Sequence, residues 1–431
     1  MNFEGLTIDK QGHLDIGGCD TVELAKEYGT ALYVMNEELI RKNCRRYISA
    51  FNEFYNGFGS PIYASKAFCC KEICRIVTDE GFHVEVVSGG ELFTALSAGV
   101  SPKIIHFQGN NKSFSELEYA IENGVYDIVA DNLAEVDRIQ AISEKCDVIT
   151  SVSLRITPGI DAHTHEYIKT GRIDSKFGIT LENGDAFEAV KYISNLNNVK
   201  LHGLHCHIAS QVFEVEPFVE AAERMLGFFA KIRDELNFLP ELLNLGGGFG
   251  VGYVDGDPAM PYENYMRAVS SAIKSKCAEL SMDIPRVFIE PGRSVVANTG
   301  ITLYTVGNIK EIKDVRNYVA VDGGMYDNPR YALYNSTYTC LIANKADQPA
   351  DYTATIAGKC CESGDLIQEH TSIQKPEIGD ILAVLCTGAY NYSMASNYNR
   401  NLKPACVMVR DGKSRIVIKA ETYEDLIRND C

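Results

Sequence analysis

The chain predicts an α/β fold: a (β/α)8 barrel of the TIM type, joined to an all-β, barrel-like C-terminal domain that also takes in the N-terminal segment. Three observations predict it. Eight short apolar runs alternate with amphipathic stretches over roughly 250 residues, the size of one closed parallel barrel. Most runs end in Gly, Ser, Asp or Asn, which punctuate strand ends. After Asn298 the alternation stops, and short strand-like runs follow one another across turn signals. A doubly wound sheet is the alternative that the pattern alone leaves open.

Residues 1–35 read as short strands and turns, with a short helix over Thr21-Val-Glu-Leu-Ala-Lys-Glu-Tyr28. The barrel runs are 62–68, 83–88, 103–109, 127–131, 148–157, 199–210, 242–248 and 286–293. Gly90-Glu-Leu-Phe-Thr-Ala-Leu and Ser115-Glu-Leu-Glu-Tyr-Ala-Ile are typical of the helical stretches between them. Beyond the barrel, 301–306, 318–322, 352–356, 381–385, 405–410 and 416–419 are strand-like. Asp322-Gly-Gly, Pro376-Glu-Ile-Gly-Asp380 and Asp411-Gly separate them as turns. The expected domains are 36–297 for the barrel, and 1–35 with 298–431 for the β domain.

Composition narrows the function. A chain of 431 residues exceeds the usual single domain, and 45% hydrophobic residues supply a large core. A formal net charge of −17 argues against nucleic acid and anionic membranes as partners. Met1-Asn-Phe-Glu-Gly-Leu has neither a basic start nor an apolar core, so no secretory signal is expected. No apolar run approaches the roughly 18 residues of a membrane span. The 14 cysteines include no Cys-x-x-Cys pair, and Cys70 and Cys74 lack partners at zinc spacing. Reduced thiols in a cytoplasmic enzyme are the expectation.

The unusual residues all fall at the C-terminal ends of the barrel runs, where barrels collect function. Lys66 ends the first, in Tyr63-Ala-Ser-Lys66-Ala67; Glu85 and Ser88 end the second; Arg155 ends the fifth. His205-Cys206-His207-Ile-Ala-Ser210, Gly246-Gly247-Gly248 and Glu290-Pro-Gly292-Arg293 end the last three. Singly, each has an ordinary reading: a lysine snorkelling to water, a core histidine, a tight turn, a structural ion pair. Jointly they suit pyridoxal 5′-phosphate. A lysine amine holds an aldehyde as a Schiff base. Three glycines expose backbone N–H groups to a phosphate, without the spacing of a dinucleotide fingerprint. A carboxylate, Glu290, pairs with a pyridinium nitrogen, and a flat imidazole, His207, stacks on the ring. His205 and His207 also share one strand face, as metal ligands would, but no third ligand stands out and no metal is expected. In the second domain, Arg330 and Tyr334 stand four residues apart, as a carboxylate clamp or a plain surface helix pair.

These motifs resemble the alanine-racemase-like (fold type III) pyridoxal-phosphate-dependent decarboxylases, almost end to end. The shared stretches include Val87-Ser-Gly-Gly-Glu91, Asp161-Ala-His-Thr-His165 with Asp174-Ser-Lys-Phe-Gly178, and Leu245-Gly-Gly-Gly-Phe249. Arg330-Tyr-Ala-Leu-Tyr334, Cys361-Glu362-Ser-Gly-Asp365 and Gly388-Ala-Tyr390-Asn-Tyr-Ser-Met-Ala-Ser-Asn-Tyr398 complete them. The His-Thr-His loop, Cys-Glu-Ser-Gly-Asp and the Ser-Met-Ala-Ser-Asn-Tyr block resemble the diaminopimelate branch of that family.

The resemblance implies decarboxylation of meso-2,6-diaminopimelate to L-lysine at the D-centre. It implies Lys66 as the cofactor attachment point and His207 stacked on the ring. Ser210, Gly246, Gly247, Gly248, Gly292 and Arg293 would hold the phosphate, with Tyr390 nearby; Glu85 and Glu290 complete the cofactor set. Arg293, Arg330 and Tyr334 would bind the distal carboxylate, with Tyr390 also among the substrate-binding residues, Glu362 the distal ammonium, and Cys361 would donate the proton. A homodimer is implied, with Cys361 and Glu362 serving the partner's site. Phe68 departs from the family's asparagine and Ala209 from its frequent glycine, with an effect expected on cofactor affinity. The rivals are a decarboxylase of the same fold acting on ornithine, arginine or carboxynorspermidine, and a non-catalytic pyridoxal-phosphate-binding relative. Arg330, Tyr334 and Glu362 argue against the first; the presence of both Lys66 and Cys361 argues against the second.

Overall fold

Eight parallel strands close on themselves in a computed structural model that describes residues 3–160 and 175–431. They are β1 (Gly59–Ala64), β2 (His83–Val86), β3 (Ile105–Phe107), β4 (Asp127–Ala130), β5 (Thr150–Thr157), β6 (Val199–His205), β7 (Leu242–Asn244) and β8 (Arg286–Ile289). Each pairs with the next, and β8 returns to β1 through Val287↔Gly59 and Ile289↔Pro61. Strands covered on both faces must be apolar throughout rather than alternating. Accordingly Ile62, Tyr63, Val84, Val86, Ile105, Phe107, Ile128, Leu154, Leu204, Leu243 and Phe288 are all buried.

The connecting helices begin where the sequence supplies a cap. Ser113 and Glu116 satisfy each other's backbone N–H groups in a capping box at helix Phe114–Glu122. Ser88 and Asn132 cap helices Gly89–Ser97 and Leu133–Lys145. In helix Glu216–Leu236, Phe218, Ala222, Met225, Phe229 and Ile232 recur at helical spacing and are buried. Burying one such phenylalanine is worth about 2–3 kcal/mol.

This barrel is one compact unit, Asn43–Gly250 with Ala259–Gly292; the other is Met1–Lys42, Val251–Pro258 and Arg293–Cys431. The second unit is mostly sheet. Its 13-residue strand Gly300–Ile312 pairs antiparallel with Arg316–Val321, Ile381–Val384 and Leu32–Asn36. Leu32–Asn36 also runs parallel to Ala405–Arg410, so the N-terminal segment lies within this sheet. Leu32, Val34, Ile301, Leu303, Leu341, Ala383, Val407 and Val409 form its core.

Two differences from the sequence reading have physical causes. The second unit contains strands Cys340–Ile342 and Leu366–Ile373, which the sequence pattern does not announce. The first is three residues long; the second carries Gln368, Glu369 and His370 and pairs through register shifts, with His370 at φ +49°. The barrel strands also stop earlier than the apolar runs. Lys66 sits beyond β1, in a one-turn 3-10 helix, Ser65–Ala67, and not on the strand itself.

Candidate active site

The barrel rim carries an acid held by three donors. Glu290 follows β8 and is buried. Its carboxylate accepts from Asn244 Nδ2 at 2.7 Å and His205 Nε2 at 3.2 Å, and from Gln108 Nε2. Burial alone would raise its pKa; His205, Lys66 and His207 overcome that and bring it down to about 2. Asn244 ends β7, and its Oδ1 accepts the Gly246 N–H at 2.9 Å. That bond fixes the amide's orientation, so the same side chain ties the glycine turn to the acid.

The glycines are required by close backbone approach. A Cβ on Gly247 would lie 2.0 Å from the Glu290 carbonyl oxygen, and one on Gly248 would lie 2.1 Å from that of Ala209. A Cβ on Gly246 would meet the Cys206 carbonyl oxygen at 2.6 Å, with φ at +67°. The loops after β6 and β7 are thus joined: the Val212 N–H donates to the Gly248 carbonyl at 2.9 Å, and Ser210 lies between. The Ala209 methyl coexists with this approach because its carbonyl, not its side chain, faces Gly248.

His207 accepts from the Gly247 N–H through Nδ1 at 3.2 Å, which places the ring proton on Nε2. Burial, with the charges of Lys66 and Arg155, holds its pKa well below the usual histidine range. The imidazole is therefore a neutral, flat surface. Lys66 donates to Glu85 Oε1 at 2.9 Å. Burial pushes the Glu85 carboxyl up to about 7 against the pull of Lys66, and Glu290 adds to the rise. Glu85 Oε2 is buried without a hydrogen-bond partner among the described residues. Ser65 donates to Glu91 at 2.7 Å, and the Ala64 N–H donates to the Pro291 carbonyl at 3.2 Å. A Cβ on Gly292 would strike Ala64 at 2.9 Å. The Lys66 turn and the Glu290 turn are therefore packed on each other. Arg155 is buried over the Phe177 ring at 4.2 Å.

The second unit carries the remaining sequence-predicted residues. Arg330 and Tyr334 lie on the short helix Arg330–Tyr334. Arg330 is buried, and its Nη1 donates to Tyr338 Oη at 2.9 Å. Among the described residues no carboxylate approaches it within the 4.0 Å of an ion pair. Tyr253 and Tyr338 offset the cost of burying it and hold its pKa above the ordinary guanidinium value. A buried cation without a carboxylate partner is costly, so the Tyr338 hydroxyl and the Tyr253 ring are what hold it in place. Arg293 stands over the Tyr390 ring at 4.7 Å. Cys361 and Glu362 are exposed, on a loop anchored by buried Asp365, which accepts from the Met325 and Cys360 N–H groups at 2.5 and 2.6 Å. The His163/His165 loop and Asp174 lie outside the described residues.

Gln108, Asn244, Tyr253 and Tyr338 escaped the sequence reading. Gln108 and Asn244 had a signal, since each stands at the C-terminal end of a barrel strand, one and two residues before a glycine. Tyr253 and Tyr338 had none.

A family model described as the pyridoxal-binding domain of pyridoxal-dependent decarboxylases matches residues 37–297. The diaminopimelate decarboxylase of Bacillus methanolicus is 48% identical over 421 residues, covering 97% of each chain. The chain belongs to the pyridoxal-dependent decarboxylases, in the diaminopimelate decarboxylase family. That of Bacillus subtilis is 45% identical over 98% of this chain and 96% of its own. A crystal structure of the M. jannaschii diaminopimelate decarboxylase in complex with L-lysine superposes with a TM-score of 0.91 at 34% identity, covering 99% and 98% of the two chains.

The rim residues fit pyridoxal phosphate by their own geometry. An amine, an unpartnered buried carboxylate oxygen on Glu85, a carboxylate held ionised at 290 and a glycine turn too tight for any side chain together answer an aldehyde, a hydroxyl-bearing ring, a pyridinium and a phosphate. All fourteen cysteines are free thiols. No helix among the described residues is long and apolar enough to cross a membrane.

Proposed function

We propose that this chain converts meso-2,6-diaminopimelate to L-lysine and carbon dioxide with pyridoxal 5′-phosphate. The cofactor supplies an aldehyde for covalent attachment and a protonated ring that takes up the electron pair left when the carboxylate departs. Lys66 contributes the amine. Glu290 would hold a proton on the ring nitrogen, because a carboxylate whose neighbours favour its charged form stabilises a cationic partner. The glycine N–H groups and Ser210 bind phosphate. His207, neutral and flat, would cover one ring face and exclude water from it.

Arg330, Arg293, Tyr334 and Tyr390 hold the carboxylate of the distal L-centre. Glu362 accepts from the distal ammonium. Cys361 delivers a proton to the carbon that lost carbon dioxide. Cys361 and Glu362 are exposed on their loop, which supports a homodimer in which each protomer lends this loop to its partner. A cytoplasmic location completes the reading.

The observation that carries the chemistry is Glu290, ionised and bound by three side chains, packed against the Lys66 turn. The test is the purified chain with pyridoxal phosphate and meso-diaminopimelate. Equimolar lysine and carbon dioxide support the reading. Turnover of ornithine or arginine in place of diaminopimelate overturns the substrate assignment.

A further inference from the structure

Two buried arginines share one tyrosine. Arg293 Nη1 donates to Tyr253 Oη at 2.7 Å. The Arg330 guanidinium carbon lies 4.6 Å from the centroid of the same Tyr253 ring. Tyr253 meets Tyr338 edge-on, at 5.8 Å and 84°, and Tyr338 Oη accepts from Arg330 Nη1 at 2.9 Å. Asn391 Nδ2 donates to Tyr338 Oη at 3.3 Å and to the Thr387 carbonyl at 3.0 Å, which fixes the far side of the assembly. Tyr253 lies in Val251–Pro258, a short segment grouped with the second unit. Thr339 Oγ1 donates to the Tyr253 carbonyl at 3.3 Å.

We propose that Tyr253 is a positioning residue that sets the spacing and orientation of Arg293 and Arg330, and so makes the site selective for substrates bearing a carboxylate at the distal carbon. Two guanidinium ions repel one another, and the repulsion grows as water is removed. Tyr253 offers its hydroxyl oxygen to one cation and its electron-rich ring face to the other. Both cations can then stand ready for one anion before it arrives, and little side-chain entropy remains to be lost on binding. Tyr338 adds a hydroxyl acceptor for Arg330, with its ring centroid 5.6 Å from the guanidinium carbon.

This rests on the substrate reading above, and the experiment keeps the two separable. Wild-type formation of lysine from meso-diaminopimelate tests the substrate reading by itself. The Tyr253 role is read by calorimetric binding of L-lysine, which keeps the distal carboxylate, and of 1,5-diaminopentane, which lacks it, to the cofactor-loaded chain. In Tyr253→Phe, L-lysine binding weakens roughly tenfold, as expected for one lost hydrogen bond to a charged group, while diaminopentane binding is unchanged. KM for diaminopimelate rises by a similar factor, and kcat moves by less than KM does. Tyr253→Leu, which also removes the ring face, weakens L-lysine further, so the phenylalanine variant counts as a partial rescue. Equal weakening of both ligands, or unchanged L-lysine binding in Tyr253→Phe, overturns the proposal. Circular dichroism matching wild type for either variant excludes misfolding as the cause.

Discussion

Glu290→Gln changes one buried charge and almost no volume. The carboxylate is stabilised against protonation from its ordinary 4.5 down to about 2, a difference worth about 3 kcal/mol in favour of the charged form. Its three partners, Asn244 Nδ2, His205 Nε2 and Gln108 Nε2, all donate. A glutamine offers one acceptor oxygen and turns an amino group towards the rest. Asn244 cannot flip to compensate, because its oxygen already holds the Gly246 N–H. At least one buried donor then loses its acceptor, at about 1–3 kcal/mol. The apo variant should therefore unfold at lower denaturant concentration. Catalysis should suffer more. A glutamine there would no longer favour a proton on the cofactor's ring nitrogen, and kcat should fall by about 10²–10³, the loss typical of removing one charge-stabilising group. Lysine formation under saturating substrate and cofactor measures it. A kcat within about threefold of wild type would refute the role of Glu290, even if stability fell as expected.

The other predictions concern the turn, the clamp and the far end of the barrel. Gly247→Ala forces a methyl against the Glu290 carbonyl at 2.0 Å; opening the turn should cost about 1–3 kcal/mol and weaken phosphate binding, measured by cofactor titration of the apo chain, and unchanged affinity would exclude this turn as the cradle. Arg330→Ala should raise KM for diaminopimelate about a hundredfold, the scale of truncating one partner of a buried charge pair, and an unchanged KM counts against the clamp. His83 packs on His106 at 3.0 Å, and burial, His106 and Arg286 hold its pKa down to about 3. The unfolded chain protonates His83 near 6.5, so acidification between these values favours unfolding, and the stability it contributes is lost as pH falls. Relative to His83→Gln, in which other titrations cancel, wild type should lose about 2 kcal/mol between pH 6.5 and 4.5, measured by urea unfolding. A pH-independent difference would contradict the burial argument.

The barrel was legible because strands covered on both faces leave continuous apolar runs, and because lysine, histidine, triple glycine and Glu-Pro-Gly-Arg have no ordinary reason to cluster at strand ends. The supporting residues were less so. Gln108 and Asn244 are amides at strand ends, where turn-capping is commonplace, and only the fold shows both aimed at Glu290. Lys112 is buried and donates to the Gly109 and Val129 carbonyls at 2.7 and 2.8 Å and to Glu135. Its desolvation is offset in large part by partners 17 and 23 positions away. Tyr253 was invisible for a related reason. It follows the glycine turn closely in sequence, but its contacts are with Arg293, Arg330 and Tyr338, 40 or more positions onward. Strand Leu366–Ile373 was hidden by its polar residues and the irregular register they accompany.

The central claim is that Lys66 is the residue to which the cofactor attaches. The most direct measurement is reduction of the cofactor-loaded chain with borohydride, followed by digestion and mass spectrometry of the labelled peptide. The account predicts a single pyridoxyl label on Lys66, abolished in Lys66→Ala together with the visible absorbance of the bound cofactor. A label on any other lysine, or undiminished labelling of the alanine variant, would contradict it.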